Sequence, residues 1–233
     1  MLKRMSVWSN IVEAIEAIGD SVAGFLASLS SRRVAEPERT AAFTIGMIAL
    51  GAKMAKADGI VTPPEINAFK EVFRIAPSDL KHVARVFNLA KQDVAGFEFY
   101  ARQMHRLFAQ RPRMLEDILD GLFHIATADG VVDDKELLYL AEVARIFHFS
   151  PRDFDRIKAR HVPPGKEDPY VILGIDPNVS DEELRRHYRR LVRAGHPDRH
   201  IAAGMPAEMV RIATERLARI NAAYETVAKV RGL

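Results

Sequence analysis

Apolar positions recur with the period of an α-helix along the first thirty residues of the chain. Between residues 7 and 29 they fall within an arc of roughly 140° on a helical wheel, with three acids opposite, Glu13, Glu16 and Asp20. A helix that spans a membrane would place those acids in hydrocarbon, so the pattern predicts an amphipathic helix instead. Its apolar side consists of Val7, Trp8, Ile11, Val12, Ile15, Ile18, Val22, Phe25, Leu26 and Leu29.

This amphipathic helix has two possible surroundings. It could pack on the following domain or on another subunit, or residues 7–29 could make a peripheral membrane contact. Helices that lie on membranes usually carry Lys and Arg on their polar side, and here the polar side is acidic, which favours packing on protein. Residues 1–39 therefore form a helix and a polar linker, in which Pro37 stops the helix.

From residue 40 to about residue 160 the apolar period remains helical, and no alternating run is long enough to predict a strand. An internal repeat lies within this stretch. The sequence AKADGIVTPPEINAFKEVFRI, which starts at Ala55, is echoed 71 residues later by ATADGVVDDKELLYLAEVARI, which starts at Ala126. Repetition on this scale predicts two similar structural units within one all-α domain of residues 40–160.

Each copy of the repeat contains the end of one helix and the beginning of the next. Gly59 and Gly130 suit the left-handed turn that often ends a helix. A capping box then marks the next start. The boxes are Thr62 with Glu65, supported by Pro63, and Asp133 with Glu136. Two helix-turn-helix units related by a pseudo-twofold axis are the predicted arrangement.

Four acidic residues of the repeat are candidate metal ligands. They are Asp58, Glu65, Asp129 and Glu136. Carboxylates brought together by a pseudo-twofold axis could hold a divalent cation such as Ca²⁺ or Mg²⁺. Helix capping and turn chemistry explain the same residues without a metal. An EF-hand is excluded, because Val131 stands where its third ligand belongs. No other cofactor is required by the sequence.

The tandem Ala-Asp-Gly units in an all-helical domain resemble the TerB family, named for tellurite resistance. The resemblance covers roughly residues 40–160. It implies a helical domain for which metal binding through acidic positions has been suggested, and so it raises the cation alternative without deciding it.

A second domain follows residue 160. The segment HVPPGKEDP, residues 161–169, contains three prolines and one glycine, which marks 161–168 as a linker and 169–233 as a separate domain. There, Pro169 begins a short apolar turn, and Ser180 with Glu183 predicts the start of a helix that Gly195 stops. A last helix is expected from residue 206 or 207 to residue 229. Two antiparallel helices joined at one tip are the simplest arrangement.

The loop at that tip has the sequence RAGHPDRH. Pro197 fixes its own φ and forces His196 out of helical geometry, so His196 and Asp198 are presented from a stiff tip. Such a tip suits docking on a partner. Acid-base catalysis is not predicted, because the sequence places no nucleophile or third orienting group beside the pair. The chain is therefore not expected to be an enzyme.

The preceding helix carries a one-sided basic face, with no lysine and no acid between its arginines. The face consists of Arg185, Arg186, Arg189, Arg190 and Arg193. Such a face favours an acidic protein surface as the partner. Nucleic acid is not predicted, because the net charge is only +3 and no aromatic residues are placed for base stacking.

Four motifs of this second domain are similar to those of a J domain, the module of DnaJ-type co-chaperones. They are DPYVILGI, LRRHYRRLV, HPD and INAAYETV, in this order. The resemblance implies a core of Tyr170, Leu173, Leu184, Tyr188, Leu191, Ile220, Ala223 and Tyr224. It also implies that His196, Pro197 and Asp198, with the five arginines, dock on a DnaK-type (heat-shock-70) chaperone and accelerate ATP hydrolysis in that partner.

A TerB-like domain followed by a C-terminal J domain resembles the DjlA-like co-chaperones. The implied function is to recruit the chaperone to a site or partner chosen by the TerB-like domain, whose client remains unnamed. The alternative is a metal-binding stress-response protein in which the J domain serves only for protein interaction. The absence of cysteine fits the cytoplasm, either free or at the inner face of the cell membrane.

Overall fold

The protein is all-α, as the sequence predicts. The computed structural model describes residues 12–58 without 14, 18, 20, 32 and 33, residues 80–161 without 129 and 131, and residues 168–198 and 207–233. Within these ranges it has ten helices and no strand. They are α1 (Val22–Ser30), α2 (Glu36–Asp58), α3 (Leu80–Gln92), α4 (Phe97–Phe108), α5 (Pro112–Ala126), α6 (Asp134–Ile146), α7 (Pro151–Ala159), α8 (Pro169–Leu173), α9 (Asp181–Gly195) and α10 (Ala207–Arg231).

The first of two compact units, Met1–Phe147, is built around α2. This helix packs against α1, α3, α4, α5 and α6, and every residue from 42 to 55 is buried. Phe43 packs edge-on against Phe108 of α4, with ring centroids 6.1 Å apart. The hydroxyl of Tyr139 in α6 donates to the carbonyl of Leu50 at 2.8 Å. A mainly apolar helix that is buried on all sides from residue 42 to residue 55 is thus the centre of the core.

The N-terminal apolar positions do not form the single continuous helix that the pattern predicts. Gly19 has a φ of 79°, in the left-handed region that ends helices. Ser21 follows with an extended backbone, and its hydroxyl accepts a hydrogen bond from the Gly24 amide at 2.9 Å. Serine is a strong N-cap residue, so a new helix, α1, begins there. The prediction is wrong because helical periodicity on both sides of Gly19 conceals the break.

The apolar positions on both sides of this break pack on protein. Val12, Ile15 and Leu26 are buried, and α1 contacts α2, α3 and α4. Glu16, on the polar side, pairs with Arg85 of α3 at 2.8 Å. Of the predicted apolar positions, Val7, Trp8, Ile11 and Ile18 lie outside the described residues. In the part of the chain that is described, no helix is both long and apolar enough to cross a membrane.

Pro37 begins a helix, whereas the sequence analysis expected it to end one. Helix α2 starts at Glu36, which places Pro37 in its first turn. Proline is accepted there because the first amides of a helix have no partner within it. The Ala35 amide donates to Oε2 of Glu38 at 3.1 Å, which supports the same start. The polar linker predicted before residue 40 therefore ends at residue 35.

The second copy of the repeat has the predicted turn and cap. Gly130 has a φ of 104°. The Glu136 amide donates to Oδ1 of Asp133 at 2.8 Å, and the Asp133 amide donates to Oε2 of Glu136 at 3.0 Å. This capping box is confirmed. The corresponding residues of the first copy, Gly59, Thr62, Pro63 and Glu65, lie outside the described residues.

The second compact unit is His148–Leu233. Helix α7 packs on α8, and both α8 and α9 pack on α10. The division therefore falls before α7, whereas the proline-rich segment that predicted a boundary follows α7. Residues 162–167 of that segment lie outside the described residues.

Candidate functional site

Helix α9 carries the basic face and ends at the predicted loop. At its start, the Ser180 hydroxyl accepts a hydrogen bond from the Glu183 amide at 3.2 Å, as predicted. At its end, Gly195 is still helical and buried, so Gly195 does not stop the helix. The stop is His196, whose ψ of 129° is extended. A residue that precedes proline avoids helical geometry, and Pro197 therefore sets the end of α9.

The loop presents its two polar side chains to solvent. The side chains of His196 and Asp198 are 49% and 81% exposed. The Asp198 amide donates to Nδ1 of His196 at 3.3 Å, and Oδ2 of Asp198 lies 3.4 Å from the same nitrogen. Pro197 between them is half-buried. The tip is thus folded back on itself, with its polar atoms accessible to a partner.

The five arginines of α9 all lie exposed, on the side opposite the buried Leu184. Arg190 donates a hydrogen bond to a side chain of its own helix. Within the residues described, the guanidinium groups of the other four arginines make no hydrogen bond or ion pair. The three acids of this helix, Asp181, Glu182 and Glu183, lie in its first turn. There they stabilise the positive end of the helix dipole, away from most of the basic face.

A small apolar core lies beneath this face. Leu173, Leu184, Ile220 and Ala223 are buried, and Tyr170, Tyr188, Leu191 and Tyr224 pack against them half-buried. The core also contains Ile172 and Val227, and Ala159 at the end of α7 packs against it.

Two tyrosines join α9 to α10 at the edge of this core. The rings of Tyr188 and Tyr224 are stacked, with centroids 3.8 Å apart. The Tyr188 hydroxyl donates to Oδ1 of Asn221 at 3.0 Å. Burial, together with Tyr224 and Glu225, raises the pKa of Tyr188. The basic helix is therefore held by both stacking and a hydrogen bond.

Arg231 holds together the base of the unit, a role that the sequence analysis missed. Its guanidinium donates to the Tyr170 hydroxyl at 3.1 Å and to Oδ1 of Asp181 at 2.9 Å. It also donates to the carbonyls of Val179 and Pro177. One side chain thus joins the end of α10 to α8 and to the start of α9. Because every partner is more than 49 residues away in sequence, no local pattern indicates these contacts.

His187 makes two contacts that the sequence analysis did not identify. Its Nε2 lies 2.8 Å from the carbonyl oxygen of Leu173, and its Nδ1 lies 2.6 Å from Nη2 of Arg190. The spacing of three between His187 and Arg190 was visible in the sequence and is typical of neighbours on a helix. The bond to Leu173 was not visible, because it depends on how α8 packs on α9.

Only one of the four acidic residues of the repeat, Glu136, has a described side chain. Glu136 is buried, and its carboxylate accepts a hydrogen bond from the amide of Asp133, the N-cap residue of its helix. Glu136 thus acts as a helix cap, the role that the sequence analysis gave as the alternative to metal binding. Glu65 and Asp129 lie outside the described residues, as does the side chain of Asp58 at the end of α2. Within the described ranges, no group of three or more carboxylate or histidine side chains is placed to hold a metal ion.

Comparison with known families identifies both halves of the chain. Residues 44–159 match the family model described as tellurite resistance protein TerB, and residues 168–230 match the DnaJ domain. Helix α7 lies within the TerB match, although it packs with the second compact unit. No solved structure matches the chain.

Relatives of the chain are named co-chaperone protein DjlA. The one from Coxiella burnetii is 28% identical over 77% of this chain and 74% of its own length. The one from Photobacterium profundum is 26% identical over 90% of this chain and 85% of its own length. A third, from Mannheimia succiniciproducens, is 41% identical over 69 residues, or 30% of this chain and 24% of its own length.

Proposed function

From this DjlA-like architecture, a TerB domain followed by a DnaJ domain, we propose that the chain is a co-chaperone of a DnaK-type chaperone. In this proposal the loop His196–Pro197–Asp198 and the arginines of α9 dock on the ATPase domain of the chaperone and on its interdomain linker. Docking accelerates ATP hydrolysis, and the hydrolysis itself takes place in the partner.

One observation carries this proposal: an exposed His-Pro-Asp tip continues directly from an exposed arginine face. The tip supplies specific contacts, and the proline reduces the entropy lost when they form. The arginines supply long-range attraction toward an acidic surface, which speeds encounter. If the tip binds best to the hydrolysis-competent conformation of the chaperone, it raises the population of that conformation.

The substitutions Asp198→Asn and His196→Gln test the role of the tip. Both keep the size of the side chain, and both positions are exposed, so the folded unit should remain intact. We expect either substitution to abolish stimulation of steady-state ATP hydrolysis by a DnaK-type chaperone. Thermal unfolding of each variant serves as the control for folding. Full stimulation by a folded variant would refute docking through this loop.

Charge reversal tests the basic face. The double substitution Arg189→Glu and Arg190→Glu should slow association with the chaperone, measured by stopped-flow mixing, and the difference from wild type should shrink as salt is added. A control that reverses the same number of charges elsewhere, Lys81→Glu with Lys229→Glu, uses two exposed residues outside α9. Equal on-rates for the two double variants at low salt would show that the arginine face does not steer binding.

We propose that the TerB domain determines where this stimulation occurs, by binding a client or a recruiting protein. The support is architectural: the two domains lie on one chain, and each has an apolar core of its own.

A further inference from the structure

His187 links the basic face of α9 to the end of α8. Leu173 is the last residue of α8. The last carbonyls of a helix accept no hydrogen bond from an amide of the same helix, so they need a donor from elsewhere. Nε2 of His187 lies 2.8 Å from the Leu173 carbonyl oxygen. This bond fixes the imidazole ring relative to the core, because Leu173 is fully buried.

The two partners of His187 determine which ring nitrogen carries the proton. A carbonyl oxygen can only accept a hydrogen bond, and a guanidinium can only donate one. Nε2 must therefore carry the proton that is donated to Leu173. Nδ1 must carry a lone pair, which accepts from Nη2 of Arg190 at 2.6 Å. The ring thus fits between one obligate acceptor and one obligate donor.

Arg190 differs in this respect from the other arginines of the face. Among the described residues, Arg185, Arg186, Arg189 and Arg193 are exposed, and no hydrogen bond to a fixed group orients their guanidinium groups. Arg190 is also exposed, yet its Nη2 donates a hydrogen bond to the His187 ring, and that ring is hydrogen-bonded to the Leu173 carbonyl. A guanidinium has five N–H donors, so most of them stay available to a partner.

We infer that His187 is a positioning residue for docking, which holds Arg190 in a fixed orientation on the exposed face before the partner arrives. This inference rests on the proposed chaperone docking. Its physical basis is that an arginine ordered in advance loses less conformational entropy on binding. His187 does not itself need to contact the partner.

The substitution His187→Gln separates this role from a purely structural one. The amide nitrogen of glutamine reaches as far as Nε2 and can donate to Leu173, whereas glutamine has no acceptor at the place of Nδ1. We expect the midpoint of thermal unfolding to remain that of wild type. The concentration needed for half-maximal stimulation of the chaperone's ATPase should rise about two- to tenfold, with the maximal rate unchanged.

A double-mutant cycle with Arg190 makes the test specific. In an Arg190→Ala background, His187→Gln should have no further effect, because the side chain it positions is gone. In an Arg189→Ala background, it should have its full effect. An unchanged half-maximal concentration in the single variant, or the same loss in both backgrounds, would overturn the inference.

A measurement on the free chain distinguishes failure of this inference from failure of the proposed function. The ¹⁵N spectrum of His187 in the wild-type protein should show the proton on Nε2, and Arg190→Ala should change the Nδ1 resonance. A proton on Nδ1 would overturn the positioning role whatever the ATPase shows. The expected spectrum, together with a wild-type chain that gives no stimulation, would instead refute the proposed function and leave His187 without a docking role.

Discussion

Asp133, Ser150 and Ser180 each accept a hydrogen bond from the amide three residues later, and each begins a helix. Caps of this kind depend on residues close together in sequence, which is why the caps at Asp133 and Ser180 could be predicted. The contacts of Arg231, and the bond between His187 and Leu173, join residues from different helices. They could not be predicted, because the partners become neighbours only after the helices pack. The exposed tip could be predicted, because its conformation depends only on Pro197 and the residues next to it.

Gly174 shows a tertiary constraint at a single residue. Its φ is 67°, and a Cβ placed there would lie 2.7 Å from Cδ of Arg156 in α7. We expect Gly174→Ala to lower the free energy of unfolding of the second unit by more than the roughly 1–2 kcal/mol that a left-handed alanine costs. Chemical denaturation, monitored by hydrogen exchange at residues 168–195, would measure the loss of unfolding free energy.

The background Arg156→Ala is the control for this prediction. Once that side chain is removed, the steric part of the cost should disappear and only the backbone part should remain. Equal losses in the two backgrounds would show that the packing of α7 on Gly174 does not constrain this position.

At the scale of elements, the helical period predicted an all-α fold but not where each helix breaks. The period of apolar residues continues across Gly19, so residues on both sides of the break were assigned to one helix. The same limitation concerns Pro37, since proline is compatible with both the end of one helix and the first turn of the next. The helices that begin after Asp133 and Ser180 were predicted correctly, because each cap joins two residues only three positions apart.

Asp93 holds α1 against the turn between α3 and α4. Its carboxylate accepts from the Ser21 hydroxyl at 3.3 Å, from the Ala23 amide at 3.4 Å and from the Ala95 amide at 3.0 Å. Burial opposes ionisation, but hydrogen bonding to the carboxylate, above all from the Ala95 amide, and the charge of Lys53 together outweigh it. The pKa of Asp93 is therefore lower than its ordinary value of 3.8.

A carboxyl group whose pKa is lowered by folding stabilises the protein above its unfolded pKa, and this contribution is lost as the pH falls through the folded value. The free energy of unfolding of wild type should thus fall more steeply between about pH 5 and pH 3 than that of Asp93→Asn. Urea titrations across this range would measure both slopes. Glu13→Gln, which removes an exposed carboxylate of the same unit, is the control. Parallel slopes for wild type and Asp93→Asn would contradict the role of Asp93.

At the scale of the whole molecule, the order of the two domains was evident from sequence because their motifs lie in separate stretches. The proline-rich segment predicted the boundary after residue 160, yet α7 packs on α8. Composition could not reveal this, because α7 has a helical pattern typical of either domain, and its partner, α8, begins only at the last proline of that segment. The proposed docking surface thus lies wholly in the second unit, where α7 packs on α8 and Arg156 of α7 lies next to Gly174.

Single-turnover hydrolysis of ATP by a DnaK-type chaperone tests the central claim most directly. The chaperone is first loaded with ATP and freed of excess nucleotide, and the full chain is then added at increasing concentration. Since one turnover excludes nucleotide release, any change reports hydrolysis itself. We predict a rate that rises with concentration to a plateau and does not rise with Asp198→Asn. A rate that is the same with and without the wild-type chain, at concentrations where binding is demonstrated, would contradict the account.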